Sequence, residues 1–302
     1  MPDDSTVAQK DDEQIPRASA PRHASQPPRE TPGVNGSGAS HASTVPGLPL
    51  LPPRLKNDFY QRLAESYRVR YGSDFSRMFH QYHFERLMAA AAPTVEKTVL
   101  DAGCGGGAVL HCLSGAFGSV VGLDLSPEML GIIDRGTDSN CALVLGQMER
   151  IPLPDESVDC IICRGALSHV DAVPPILQEF QRVLKHGGVV VISEPSLDSV
   201  LLRLPRAVIT SRSKVFKKGH KAYGSNDLLP LLRRAGLTVA RKEYFGYLSF
   251  PICDMADVLP ILPRLPFKTG ITAMLIAIDR VLSLIPVVNR QAWHLILTAH
   301  KP

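Results

Sequence analysis

Short apolar runs alternate with segments of helical apolar spacing along most of the chain. The runs rich in Val, Ile and Leu predict strands at Thr98–Asp101, Ser119–Leu123, Ala142–Leu145, Val158–Cys163, Val189–Glu194, Thr238–Phe245 and Trp293–Ala299. The segments between them predict helices at Ala108–Ala116, Pro127–Arg135, Pro174–Lys185 and Asn226–Ala235. Strands that alternate with helices predict an α/β fold, in which helices cover both faces of a mostly parallel sheet.

The first part of the chain lacks this pattern. Residues 1–53 are dense in Pro, Ser, Ala, Gly and charge, and they hold few large apolar residues. Such a segment cannot bury enough surface to offset its ordering entropy, so we expect a disordered tail. Residues 54–302 are expected to form one domain. It opens with two helices within Lys56–Ala92, separated at Gly72.

Two segments interrupt the alternation. The first, at about residues 197–225, is rich in Arg and Lys and has no acidic residue after Asp198. It is interpreted either as a solvated basic face or as a lid that meets an anionic substrate or an acidic membrane surface. The second, at about 252–288, contains the apolar run Ile271–Ile285, and we expect a helical cap packed on the sheet edge. A substrate tunnel, a dimer contact and docking on a membrane surface are the alternatives for this cap.

Composition narrows the class of protein. The 302 residues are 44% hydrophobic and 21% charged with a formal net charge of +4, which suits a globular core and gives little indication of nucleic-acid binding. Six cysteines are expected to be reduced core thiols. Cys160 and Cys163 mimic a C-x-x-C pair, but residues three apart in a strand face opposite sides. Neither a signal peptide nor a spanning helix is evident, so a cytoplasmic location is expected.

The most informative stretch joins the first two predicted strands. Asp101 ends the first strand, a glycine-rich turn follows at Gly103–Gly107, and Asp124 ends the second strand. Such a turn at a helix N-terminus brings backbone N–H groups close to a nucleotide-like ligand, and glycine leaves no Cβ in the way. An acid about 20 residues further on suits a pair of ribose hydroxyls.

The same glycines also match the dinucleotide pattern G-x-G-x-x-G/A, so a nicotinamide-dependent oxidoreductase is one alternative. Asp101 argues against it, because a carboxylate at the mouth of the turn opposes a pyrophosphate and attracts a cation. The chain also shows no second mononucleotide-binding half. These residues therefore favour a nucleoside ligand that carries an ammonium or sulfonium.

Four blocks together resemble the class I S-adenosylmethionine-dependent methyltransferases. The D-x-G-x-G-x-G loop of that family is matched in full by residues 101–107, and its strand-end acid is matched by Asp124. Gly146–Val170 is similar to the family's G-D-x-E-x-L-P-F-x-D-x-S-F-D run, and Arg182–Pro195 is similar to its penultimate parallel strand. The resemblance implies a Rossmann-like three-layer sandwich with a seven-stranded sheet, whose last strand is antiparallel beside the fifth. It also implies S-adenosyl-L-methionine as the cofactor.

The resemblance further implies a role for individual residues. Those expected to bind the cofactor are Asp101, Gly103, Cys104, Gly105 and Gly107 at the methionine end, Asp124 at the ribose, Leu125, Met129, Gln147, Met148 and Glu149 around the adenine, and Arg164 under the methyl donor. Gln147 departs from the family, which usually has Asp at this position, although its amide can still accept a hydrogen bond from the adenine amine. Tyr67 and Tyr71 are similar to a pair that lies near the methionine in relatives, and packing is the alternative for them.

The acceptor is less well defined by the sequence. His169 and Glu194 follow or end strands at the expected crevice, and each is a candidate general base or a scaffold residue. His80 and His83 lie one helical turn apart, but with no third ligand nearby no metal site is expected. The N/D-P-P-Y-like turn of amide- and base-methylating relatives is missing after Cys163, and no basic–aromatic patch for bases is evident. We therefore expect methylation of O or C in a small, apolar metabolite, as in quinone-biosynthesis and natural-product relatives. A non-catalytic scaffold, which Gln147 favours, is the alternative.

Overall fold

The structure is a computed structural model that describes residues 73–133, 140–212, 221–255, 259 and 261–302. The predicted tail, the first predicted helix with Tyr67 and Tyr71, and part of the basic segment lie outside the described residues. The elements below are numbered within the described part of the chain.

Seven strands form one sheet in the order β3-β2-β1-β4-β5-β7-β6. They are β1 Thr98–Ala102, β2 Ser119–Asp124, β3 Cys141–Leu145, β4 Val158–Arg164, β5 Leu184–Pro195, β6 Thr238–Phe245 and β7 His294–His300. Strand β7 lies antiparallel between β5 and β6, and the remaining neighbours pair in parallel. The predicted α/β sheet with an antiparallel last strand is confirmed.

Helices cover both faces of this sheet. They are α1 Asp74–Ala91, α2 Leu110–Ser114, α3 Pro127–Gly131, α4 Pro174–Val183, α5 Arg203–Arg212, α6 Ser225–Arg234 and α7 Lys268–Ser283. Successive strand residues enter opposite cores: Leu100 packs with α4 and α6, whereas Val99 packs with α1, α2 and α7. Strand pleating produces this alternation, and the result is three layers.

Several element boundaries differ from the prediction, and the differences at the α4–β5 junction and in α2 have evident local reasons. Helix α4 ends at Val183 because Leu184 already has an extended backbone, with ψ of 133°. Strand β5 therefore begins at Leu184, where it pairs with Val158, and the Gly187–Gly188 pair, which lies before the predicted start at Val189, is inside the strand. Helix α2 covers only Leu110–Ser114, because residues 105–109 are part of the glycine turn.

The six cysteines are thiols outside any disulfide bond, and Cys160 and Cys163 belong to opposite cores, as the strand periodicity predicts. The second insert forms a π-helical turn at Phe250–Asp254, a 3₁₀ turn at Leu262–Arg264 and helix α7. Among the described residues, every helix is too short or too polar to cross a lipid bilayer.

Candidate functional site

A cavity of about 240 Å³ opens at the carboxyl ends of β1, β2, β3 and β4. Nine of the predicted cofactor residues line it: Gly103, Gly105, Asp124, Leu125, Met129, Gln147, Met148, Glu149 and Arg164. The lining also includes Gly146, Gly165, Ala166, His169, Val170 and Asp171. Open α/β sheets bind ligands at this edge, so the cavity is the candidate site.

The glycine turn forms one wall of the cavity. Gly103 has a φ of +76°, and a Cβ on it would lie 2.5 Å from the Cβ of Ala166. The N–H groups of Gly103 and Cys104 both donate to the Leu123 carbonyl, at 2.8 and 2.9 Å, which fixes the turn to β2. Glycine at position 103 is therefore required by both the backbone angle and the close approach of the wall opposite.

Two predicted residues of the turn lie away from the cavity lining. Cys104 is buried among apolar neighbours in the α1–α2 core, and burial strongly raises the pKa of its thiol. Gly107, with a φ of +76°, faces Ile133, whose side chain would be 3.0 Å from a Cβ at this position. These two residues shape the turn from behind.

Asp124 ends β2 with its carboxylate held from two sides. Its Oδ2 accepts a hydrogen bond from the Gly105 N–H at 2.8 Å, and its Oδ1 accepts one from the Ser126 N–H at 2.9 Å. Desolvation raises the pKa of this carboxyl, and the backbone donors oppose that rise. Each oxygen keeps a lone pair for a further donor, so the carboxylate can accept hydrogen bonds from two adjacent hydroxyls.

Asp101, the penultimate residue of β1, lies outside the cavity lining and is 2% exposed. Burial raises the pKa of this carboxyl to about 7, although the nearby Arg164 guanidinium lowers it. Its Oδ2 has no hydrogen-bond partner among the described residues. A buried acceptor without a donor fits an incoming cation, as the ammonium of an amino acid would supply.

Arg164 connects Asp101 to a histidine–aspartate pair. Its Nη1 lies 3.5 Å from Nδ1 of His80, and Nε2 of His80 lies 2.9 Å from Oδ1 of Asp254. His80 comes from α1 and Asp254 from the π-helical turn. A row of charged and polar groups thus lies on the side of the site next to β4: the Asp254 carboxylate, the His80 imidazole, the Arg164 guanidinium and the Asp101 carboxylate.

His83, one helical turn after His80 in α1, has a structural contact. His83 is buried, and its Nε2 lies 2.8 Å from the Ser193 hydroxyl of β5. Burial and the neighbouring Arg164 hold its pKa well below the usual range. His83 therefore attaches α1 to the sheet as a neutral side chain.

The loop after β3 carries Gln147, Met148 and Glu149 into the cavity. Its far end is held by Arg182, whose guanidinium donates to the carbonyls of Ile151 and Leu153 at 2.9 Å each. Glu179 pairs with Arg182 and accepts the Ile151 N–H at 2.8 Å. Helix α4 therefore sets the position of this loop.

The two candidate bases occupy different places. His169 lines the cavity in the 3₁₀ turn Leu167–His169 after β4. Glu194 is fully buried outside the lining, and its Oε1 accepts the Leu167 N–H at 2.8 Å. Desolvation raises the pKa of Glu194 to about 8. In this position Glu194 supports the turn that carries His169.

Some site residues were not predicted from the sequence. Gly165 and Ala166 follow β4 directly, so the strand-end position was a usable signal for both. Asp254 had no signal of this kind, because the fold brings it to His80 from a distant part of the chain.

Comparisons with known proteins agree with this geometry. A family model described as a methyltransferase domain matches residues 100–192. Malonyl-[acyl-carrier protein] O-methyltransferase of Pectobacterium atrosepticum is 35% identical over 183 residues, which cover 60% of this chain and 67% of that protein. Demethylmenaquinone methyltransferase of Bacillus licheniformis is 30% identical over 162 residues, covering 46% of this chain and 70% of that protein. The chain spans 33% to 53% of the length of other curated relatives that it matches.

Solved structures share the fold. The geranyl diphosphate C-methyltransferase from Streptomyces coelicolor A3(2), in complex with Mg²⁺, geranyl diphosphate and S-adenosyl-L-homocysteine, is one of them. It superposes with a TM-score of 0.51 at 18% identity, covering 82% of this chain and 84% of that chain.

Proposed function

This chain belongs to the class I S-adenosylmethionine-dependent methyltransferases, and we propose that it methylates an oxygen or carbon of a small, apolar metabolite. One observation carries the proposal: Asp124 and Arg164 line one cavity at the carboxyl ends of the strands, and the buried Asp101 lies close enough to Arg164 for that guanidinium to lower its pKa. Residues 54–302 would form the catalytic domain, preceded by the tail 1–53. A cytoplasmic location, where thiols stay reduced, is part of the proposal.

The donor set fits each part of the cofactor. Asp101 would bind the ammonium, and Arg164 would bind the carboxylate of the same amino-acid group. Asp124 would accept hydrogen bonds from both ribose hydroxyls through the lone pairs that Gly105 and Ser126 leave free. Gln147 would meet the adenine edge, with Leu125 and Met129 against the ring.

When bound, S-adenosylmethionine supplies a methyl group that its sulfonium already activates. The chain's residues then have two tasks, which are to align the acceptor and to exclude water. His169 is in place to take a proton from an acceptor hydroxyl, since it lines the cavity. Glu194, which holds the turn behind His169, is better suited to positioning.

The partner would be a small-molecule acceptor, and no nucleic acid is expected. Contact with a membrane through the basic segment or the apolar cap is also part of the proposal. Membership of the methyltransferase family argues against the alternative of a nicotinamide-dependent oxidoreductase. A scaffold without turnover stays the second candidate, because Gln147 stands where relatives usually have an acid.

Transfer of a labelled methyl group tests the proposal. The protein would be incubated with S-adenosylmethionine labelled in the methyl group and with apolar phenols, hydroxyquinones and carboxylic acids. We expect label in the organic extract with at least one class, and loss of about a hundredfold or more in kcat for His169→Ala if it removes the proton. A folded protein that binds S-adenosylhomocysteine but labels none of these acceptors would favour the scaffold.

A further inference from the structure

Helix α5 exposes its apolar side. Leu201, just before the helix, is 72% exposed and Leu204 is 75% exposed, with Val208 one turn further on. The inward side instead carries Arg206, whose guanidinium stacks on the Trp293 ring at 4.9 Å and donates to the Ser196 carbonyl at 2.7 Å. A helix on a water-facing surface has the opposite polarity, so this side is built for an apolar contact.

A second exposed apolar set follows the end of α7. Leu284 is 80% exposed and Val287 is 85% exposed, and Val281 and Ile285 beside them are also exposed. The helix packs on the sheet through Leu275 and Ile276 on its other side, so the exposed residues take no part in that packing.

Gln291 joins the two sets. Its Oε1 accepts hydrogen bonds from the Ser199 hydroxyl at 2.8 Å and from the Leu201 N–H at 3.2 Å. The segment before α5 therefore lies against the segment that follows α7. We name the combined surface the α5–α7 face; its members are Val200, Leu201, Leu204, Val208, Val281, Leu284, Ile285 and Val287.

Basic residues border this face. Arg203 and Arg290 are exposed within or beside the two segments. The sequence has no acidic residue between Asp198 and Asp227, a stretch that includes the whole of α5. Apolar side chains with a basic border match the two layers of a bilayer surface, which are acyl chains below anionic headgroups.

We propose that the α5–α7 face docks this protein on the surface of an anionic phospholipid bilayer. Charge complementarity selects this occupant over a second copy of the chain. A symmetric contact between two copies would bring the same basic borders together, whereas anionic lipid neutralises them.

The position of the face suits an acceptor dissolved in lipid. Helix α5 follows the carboxyl end of β5, at the same sheet edge as the cavity. The segment that returns from it contacts the turn carrying His169, since the Lys221 N–H donates to the Ser168 carbonyl at 3.0 Å and the Tyr223 hydroxyl donates to the Leu167 carbonyl at 3.0 Å. The inference deepens the membrane contact of the proposed function, and its link to the acceptor rests on methyl transfer, whereas vesicle binding is measured without any turnover.

Cosedimentation with vesicles tests the docking separately from cofactor binding. Vesicles of phosphatidylcholine alone would be compared with vesicles containing phosphatidylglycerol. We expect the wild type to bind the anionic vesicles, with affinity falling as salt rises. Leu204→Asp with Val287→Asp should lower the affinity at least about tenfold. Arg203→Gln with Arg290→Gln should lower it by about fivefold per arginine.

Val95→Asp is the matched control. Val95 is also 72% exposed, but it lies before β1 at the opposite edge of the sheet, so this variant should bind vesicles like the wild type. All variants should keep wild-type affinity for S-adenosylhomocysteine, which shows that they fold. A wild type that binds no anionic vesicle would overturn the proposal, as would equal binding by Leu204→Asp/Val287→Asp. A dimer that this variant dissociates, without vesicle binding by the wild type, would assign the face to self-association instead.

Discussion

Asp101 is a buried carboxyl and Asp124 is a half-buried one; both lie at strand ends, yet their surroundings suit different ligands. Two backbone N–H groups support the Asp124 carboxylate, so it can stay ionised and accept hydroxyl hydrogen bonds. Asp101 has an oxygen with no hydrogen-bond partner among the described residues, and burial raises its pKa to about 7. An incoming cation would therefore change the protonation of Asp101 far more than the protonation of Asp124.

The affinity for S-adenosylmethionine should depend on pH through Asp101. Its folded-state pKa of about 7 means that it holds a proton below that pH, and the proton must leave before the ammonium binds. Affinity should therefore fall about tenfold for each pH unit below 7 and level off near 7. Calorimetric titrations between about pH 5.5 and 7.5 would measure this slope.

Asp101→Asn provides the control for that slope. The variant should bind weakly, with little pH dependence in the same window. The same raised pKa also predicts how stability depends on pH without cofactor. The free energy of unfolding should fall as pH rises from about 4 to about 7, because in this window the unfolded state has released the Asp101 proton and the folded state still holds it. A slope of cofactor affinity that survives in Asp101→Asn would assign the titration to another group.

The sequence predicted those site residues that belong to one local motif. Asp101, Gly103 and Asp124 were predicted because one strand–turn–helix unit contains all three. The contact from Arg164 to His80 and Asp254 was not, because it joins β4, α1 and the π-helical turn, and no spacing in the sequence encodes such a meeting.

At the scale of elements, the glycine turn is the most sensitive feature. Gly103→Ala should lower the free energy of unfolding by at least about 2 kcal/mol, because a positive φ is costly for alanine and the new Cβ would overlap Ala166. Gly131→Ala in α3 meets no atom within 4 Å, so it should be neutral or slightly stabilising. Urea denaturation of both variants makes the comparison, and equal midpoints would contradict this account of the turn.

Arg182 should link the stability of the protein to cofactor affinity. Arg182→Met removes donors from two loop carbonyls and from Glu179, so we expect a loss of about 2 kcal/mol in the free energy of unfolding. Affinity for S-adenosylhomocysteine should also drop severalfold, because the loop with Gln147 loses its anchor. Denaturation and calorimetry would measure the two effects.

Lys185→Gln is the matched control for Arg182→Met. Lys185 pairs with Asp159 at 2.8 Å while 43% exposed, so its loss should change stability by no more than about 1 kcal/mol and leave cofactor affinity unchanged. If Arg182→Met lowered stability but bound cofactor like the wild type, Arg182 would not position the loop.

Element boundaries were predicted best where packing and local pattern agree. Ser126 and Pro127 predict the start of α3, and the Ser126 hydroxyl indeed accepts the Met129 N–H at 3.2 Å. The start of β5 was wrong because pairing with β4 extends the strand back to Leu184, which the glycines at 187 and 188 obscure.

At the scale of the whole molecule, the alternation of strands and helices was enough to predict a mixed sheet with helices on both faces. Periodicity could not predict which apolar side chains stay outside. The apolar run Ile271–Ile285 is divided between Leu275, which is buried in α7, and Leu284, which is exposed just after the helix, and only the tertiary packing decides this division. The lipid-facing assignment of the α5–α7 face therefore depends on the fold as a whole.

The central claim is that this fold holds S-adenosylmethionine between Asp101 and Asp124. Calorimetric binding of S-adenosylhomocysteine to the wild type, Asp124→Ala and the exposed-site control Glu96→Ala tests it most directly. We expect micromolar-range binding by the wild type and by Glu96→Ala, and a loss of at least about a hundredfold in Asp124→Ala, which lacks both ribose acceptors. A folded wild type that does not bind, or an Asp124→Ala variant that binds equally well, would contradict the account.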